Sequence, residues 1–81
     1  MLKVYGCEMC PDCVKCKKDL DQAGVEYVYL DITANLLFLK QFLKLRDTHA
    51  VFDEMKAAGK IGIPCVVNEE GKVTLTWEEY M

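Results

Sequence analysis

Short apolar runs separated by polar segments predict four strands along the chain. Residues 2–6 and 25–32 are short apolar runs rich in β-branched and aromatic side chains, a composition typical of strands. Residues 63–67 and 72–76 form a second pair, separated by the turn-forming residues 68–71. We therefore expect a β-hairpin, with antiparallel strands, near the end of the chain.

The segment after the first strand predicts a helix from Pro11 to about Ala23, with Gly24 as its stop. Its expected buried face comprises Cys13, Val14, Cys16, Leu20 and Ala23. Because this helix connects two strands through short loops, the strands should be parallel with a right-handed crossover.

A second helix, capped by Thr33 or Asn35, is predicted to run to about Arg46. It is apolar over more than one stripe, with Leu36, Leu37, Phe38, Leu39, Phe42, Leu43 and Leu45. We expect a third helix, over residues 48–58, to cover part of this surface. The alternative is that the second helix serves as a docking or dimer surface. The predicted order is βαβ(αα)ββ, followed by one helical turn over residues 77–81.

Composition and charge exclude several functional classes. The 81 residues suit a single domain over residues 1–81, and the net charge of −3 comes without a basic stripe for nucleic acid. No apolar run reaches the roughly 18 residues of a membrane span. The opening MLKVYG predicts a strand rather than a signal peptide. We therefore expect a cytoplasmic protein that is a monomer, with a dimer as the alternative.

Four of the five cysteines, Cys7, Cys10, Cys13 and Cys16, are spaced three residues apart. They lie too close together to link distant parts of a fold, which favours redox or metal chemistry over structural disulfides. A Cys-Pro-Asp-Cys sequence at a helix start places the first sulfur near unpaired N–H groups, which favour a thiolate. Cys10 is thus a candidate nucleophile and Cys13, one turn later, a resolving thiol. The carboxylate of Asp12 should oppose thiolate formation.

Pro64 is the second indicator of a redox site. A proline that opens the third strand in this order of elements commonly forms a cis peptide beside the CxxC turn. We expect the backbone at Ile63 to be free to pair with an extended substrate, since Pro64 would not fit a central strand otherwise.

On the motifs VYGCEMCPDC, VEYVYLDI and GIPCVV, which span nearly the whole chain, the sequence resembles the glutaredoxin family. The resemblance implies an α/β, thioredoxin-like three-layer fold, with a four-stranded mixed sheet and helices on both faces. It also implies a thiol–disulfide oxidoreductase that reduces protein or low-molecular-weight disulfides through Cys10 and Cys13. No cofactor would be bound permanently, and glutathione, as a possible co-substrate, or a reductase would recycle the dithiol.

The chain departs from the family pattern at the positions that bind glutathione. Cys7 stands where the family usually has a lysine, and residues 72–78 contain no Gly-Gly-x-Asp element. Gly62-Ile63-Pro64 replaces the usual Thr-Val-Pro, and the connection before it is longer. We therefore expect weak activity on glutathione mixed disulfides, unless Lys44 or Arg46 supplies a replacement contact.

The other cysteines leave alternatives open. Cys16 and Cys65 are predicted to pack in the core, whereas Cys7 should be more exposed, as an accessory thiol or a metal ligand. A metal or iron–sulfur module would use Cys7, Cys10 and Cys13, with Cys16 as a fourth ligand. A regular helix turns by about 600° between Cys10 and Cys16, so the two should diverge. A third alternative is a non-catalytic adaptor that docks through the second helix.

Overall fold

The computed structural model describes residues 1–81, and its elements follow the predicted order. They are β1 (Leu2–Gly6), α1 (Pro11–Gln22), β2 (Tyr27–Asp31), α2 (Leu36–Thr48), a 3₁₀ turn (Ala50–Phe52), α3 (Asp53–Ala57), β3 (Cys65–Val67), β4 (Val73–Thr74) and a C-terminal 3₁₀ turn (Trp77–Tyr80).

The four strands form one mixed sheet in the order β2-β1-β3-β4. The β1 strand runs parallel to β2, with Val4 opposite Tyr29, and antiparallel to β3, with Val4 opposite Val66. The hairpin of β3 and β4 is antiparallel, so the predicted pairing is confirmed. Strand β4 is shorter than predicted because the Thr74 hydroxyl accepts a hydrogen bond from the Thr76 N–H at 3.1 Å, which turns the chain.

Alternate residues of the strands supply two hydrophobic clusters, one on each face of the sheet. On the α1 face, the C-terminal turn completes a cluster of Leu2, Val4, Cys16, Leu20, Val66 and Trp77. On the α2 face, the cluster comprises Tyr5, Leu30, Ile32, Phe42, Phe52 and Cys65. The fold therefore has three layers, with helices on both faces of the sheet as expected.

Helix α1 begins and ends close to its predicted limits, and Gly24 follows it at φ +70°. Its buried face is narrower than predicted, because only Cys13, Cys16 and Leu20 are buried. Val14 is 47% exposed, because it lies about 100° around the helix axis from the buried Cys13. Ala23 is exposed because it caps the helix beyond the last turn.

Helix α2 is capped by Asn35, whose side chain accepts a hydrogen bond from the Leu37 N–H at 2.8 Å. The predicted third helix is broken into the 3₁₀ turn and the short α3, and it covers only one side of α2. There the Phe42 and Phe52 rings meet edge to face, with centroids 5.8 Å apart. On the other side Leu36, Leu37 and Leu43 remain exposed. None of the helices has the length and apolar character needed to cross a membrane.

Candidate active site

The loop between β1 and α1 places Cys10 at the N-cap of the helix. The Cys10 N–H donates to the Cys7 carbonyl at 3.2 Å, which folds the loop back before Pro11 starts the helix. The Cys13 N–H then donates to Cys10 Sγ at 3.3 Å. An N-terminal N–H and the helix dipole both stabilise negative charge on that sulfur. Cys10 is also the only one of the five thiols that is not buried.

Cys13 lies one turn further along α1 and is completely buried. A Cβ atom on Gly6 would come within 2.8 Å of Cys13 Sγ, so glycine is required for this close approach of helix and strand. Burial, followed by the hydrogen bond with Cys10, raises the pKa of the Cys13 thiol to about 12. The pair therefore combines an accessible sulfur at a helix end with a buried, protonated partner.

The segment before β3 forms the opposite wall of the site. The Ile63–Pro64 peptide bond is cis, as expected, and the Ile63 carbonyl lies 3.9 Å from Cys10 Sγ. Ile63 makes no backbone hydrogen bond, whereas Pro64 is buried beneath it. The sequence thus correctly located this wall, and Ile63 is the residue of the two that faces the site.

Arg46 at the end of α2 fixes the loop that leads to this wall. Its Nε donates to the Ile61 carbonyl at 2.8 Å and its Nη2 to the Lys60 carbonyl at 2.9 Å. The guanidinium is thereby engaged with the protein backbone. Arg46 therefore holds the loop and is not the free cation considered from the sequence, and neither Arg46 nor Lys44 lines the cleft beside Cys10.

A cleft of about 590 Å³ opens between the two walls, beside Cys10. Much of its lining is apolar, from Met9, Met55, Ile61 and Ile63. Asp12 and Lys60 are the charged residues of the lining. Sequence reasoning missed Met9, Met55 and Lys60, although the glycines at 59 and 62 marked the loop that brings Lys60 to the cleft.

The prediction that Cys7 is more exposed is wrong. Its side chain lines the cleft, but the residue is only 8% exposed because the loop folds it under the start of α1. Cys16 and Cys65 are completely buried, one in each hydrophobic cluster, as predicted. Burial raises the pKa of both thiols to about 12. All five cysteines are free thiols.

The cysteine string does not converge on one point. No group of three or more histidine, cysteine, aspartate or glutamate side chains has an arrangement that could hold a metal ion. Cys16 packs in the hydrophobic cluster between α1 and the sheet, because a regular helix turns it away from Cys10. The arrangement observed is that of a two-sulfur site with a third thiol, Cys7, beside it.

Comparison with known proteins bears on the fold and the family of the chain. An uncharacterized protein of Haemophilus influenzae is 42% identical over 72 residues, which cover 89% of this chain and 84% of that protein. A crystal structure of a mutant of the thioredoxin-like protein BC3987 superposes with a TM-score of 0.70, covering 99% of this chain and 93% of that one at 23% identity. The fold is therefore thioredoxin-like. The glutaredoxin family profile matches residues 2–72, and the chain belongs to the glutaredoxin family.

Proposed function

We propose that this protein is a dithiol–disulfide oxidoreductase in which Cys10 is the nucleophile and Cys13 the resolving thiol. One observation carries the proposal: Cys10 Sγ accepts the Cys13 N–H at the helix N-cap and opens onto the cleft. A sulfur in that position can attack from solvent, and its neighbour is held one turn away by the same helix.

The reaction proceeds in two exchanges. The Cys10 thiolate attacks one sulfur of a substrate disulfide, forms a mixed disulfide and releases the other sulfur as a thiolate. Cys13 then attacks Cys10 Sγ, which releases the second substrate sulfur and leaves a Cys10–Cys13 disulfide. The proton lost by Cys13 passes to the departing thiolate. A dithiol donor, or two molecules of glutathione, reduces the Cys10–Cys13 bond and completes the cycle.

We favour a protein disulfide over glutathione mixed disulfides as substrate. The cleft beside Cys10 is lined largely by thioether and branched apolar side chains, and Met9 is 83% exposed. The free backbone of Ile63 suits an extended peptide that pairs with it. The glutathione carboxylates would find only Lys60 in the cleft lining. We further propose that residues 1–81 act as one domain, as a cytoplasmic monomer without nucleic-acid partners.

Turnover with defined substrates tests the assignment. Wild type, Cys10→Ser, Cys13→Ser and Cys16→Ser are each assayed with a peptide disulfide, with glutathione plus its reductase or a thioredoxin-type reductase as donor. We expect no reaction from Cys10→Ser, a trapped mixed disulfide from Cys13→Ser, and near wild-type turnover from Cys16→Ser. Normal turnover by Cys10→Ser would contradict the proposal.

A second candidate function, docking through α2, is favoured by the exposure of Leu36 (69%) and Leu37 (58%) on its outer side. Sedimentation of wild type and of Leu36→Asp over a range of concentrations tests whether that face associates. Self-association abolished by Leu36→Asp would replace the monomer proposed above with a dimer.

A further inference from the structure

The Tyr29 hydroxyl is a buried polar group to which neither the fold nor the reaction described above gives a role. It is the only buried side-chain nitrogen or oxygen atom without a hydrogen-bond partner. Leaving such a donor unsatisfied is unfavourable, and native structures rarely keep one without a reason. Phenylalanine would supply the same ring without this unsatisfied group.

The position of the hydroxyl indicates what that reason is. Tyr29 Oη and Cys13 Sγ each lie 2.8 Å from the point where a Cβ atom on Gly6 would stand. The two atoms are therefore at most twice that distance from each other, above the same glycine. The absence of a side chain at position 6 leaves the space between them open. An approach of the two groups across this space would make the hydroxyl a hydrogen-bond donor to the sulfur.

A lysine ammonium group packs against the Tyr29 ring. Lys17 Nζ lies 4.3 Å from the centroid of the Tyr29 ring and also contacts Glu8 Oε1 at 2.7 Å. Burial raises the pKa of the Tyr29 hydroxyl well above its usual range, with smaller contributions from the neighbouring Cys13 thiol and the carboxylates of Glu8 and Asp31. The group therefore stays protonated and can donate a hydrogen bond when a charge appears on Cys13.

We propose that Tyr29 donates a hydrogen bond to the Cys13 thiolate as Cys13 attacks the mixed disulfide on Cys10. This inference rests on the proposed function, since it assigns a helper to its second exchange. Burial disfavours the Cys13 thiolate, and a neutral donor that pairs only with the ionised sulfur offsets that penalty when it matters. A hydrogen bond from the Cys7 backbone N–H also favours the Cys13 thiolate, because it lowers the pKa of the Cys13 thiol.

A single-turnover reaction isolates this step. The mixed disulfide of Cys10 with thionitrobenzoate is prepared, and Cys13 is left to expel the coloured thiolate. Tyr29→Phe should release it about 10- to 100-fold more slowly than wild type at each pH below the titration of Cys13. Tyr27→Phe is the matched control, because the Tyr27 hydroxyl lies on the same strand but donates to Asp21 Oδ1 at 2.8 Å. That variant should release thionitrobenzoate at the wild-type rate.

Urea unfolding of the reduced proteins supplies the second readout. Because the Tyr29 hydroxyl has no partner in the resting protein, Tyr29→Phe should be at least as stable as wild type. A rate within twofold of wild type, or a clear loss of stability, would overturn the assignment of Tyr29. Undiminished release by Cys13→Ser would instead mean that another thiol resolves the mixed disulfide, and would contradict the proposed function itself.

Discussion

Gly62→Ala should be far more destabilising than the same change at Gly59, although both glycines belong to the loop beside the cleft. Each has a positive φ, +94° at Gly62 and +70° at Gly59, so alanine meets backbone strain at both. That strain is worth about 1–2 kcal/mol, partly offset by about 0.4–1 kcal/mol from the stiffer unfolded chain. The net backbone effect is therefore about 1 kcal/mol at either position.

The two sites differ in the space around the added methyl group. At Gly59 no atom lies within 4 Å of it, whereas at Gly62 it would stand 2.7 Å from Phe52 Cδ1. Phe52 is completely buried against Phe42, so its ring cannot move without disturbing the core. Overpacking of this kind is worth about 1–3 kcal/mol. Gly62→Ala should thus cost about 2–4 kcal/mol in total, out of roughly 4–12 kcal/mol for a chain of this length.

Urea unfolding under reducing conditions measures the difference. For a domain this small the free energy of unfolding falls by about 1 kcal/mol per molar urea. The Gly62→Ala midpoint should therefore lie about 1–3 M below that of Gly59→Ala, with equal slopes. Coincident midpoints would refute the reasoning, because they would show that the Phe52 ring moves aside without lowering the free energy of unfolding.

Three further predictions concern the chemistry of single side chains. Iodoacetamide at neutral pH should label Cys10 first, because the other thiols are buried. Mass spectrometry of the digest identifies the labelled residue, and labelling of another cysteine before Cys10 would contradict this expectation. Hydrogen bonds from Lys15 and then Trp77 hold the pKa of Asp19 below its ordinary value of 3.8, so its contribution to stability is complete above about pH 5 and is lost as the pH falls through the lowered pKa. Asp19→Asn should accordingly flatten the acid limb of a stability–pH curve, and an unchanged limb would contradict this account. Lys60→Gln should reduce the turnover of glutathione mixed disulfides, which we expect to be weak, by several-fold and leave turnover of a neutral peptide disulfide unchanged, whereas equal losses would argue against a carboxylate contact.

The order of elements and the position of the dithiol could be predicted because both depend on local sequence. Pro11 at the first turn and Gly24 after the last turn mark the limits of α1. The adjacent apolar residues Val4 and Tyr5 indicate a strand that is buried on both faces of the sheet. The candidate nucleophile, Cys10, follows from the helix start alone, since an N-cap position requires no knowledge of the remaining fold.

Burial that depends on the path of a loop could not be predicted in the same way. Cys7 appears exposed when it is treated as a loop residue, and only the turn closed by the Cys10 N–H places it under the helix. The sequence gives no sign that Arg46 has hydrogen-bond partners, because these are the backbone carbonyls of Lys60 and Ile61, 14 and 15 residues further along the chain. The proximity of Tyr29 and Cys13 likewise depends on the parallel register of β1 and β2 around Gly6.

The positions of the buried thiols allow local unfolding on each side of the sheet to be measured separately. Cys16 lies in the cluster under α1 and Cys65 in the cluster under α2, on opposite faces of the sheet. Each can react with a thiol reagent only when its own layer detaches, so the two labelling rates measure separate opening free energies. Equal rates would mean that both layers leave the sheet in one cooperative event. A faster rate at Cys65 would show that the α2 layer, with its broken third helix, opens while α1 remains docked.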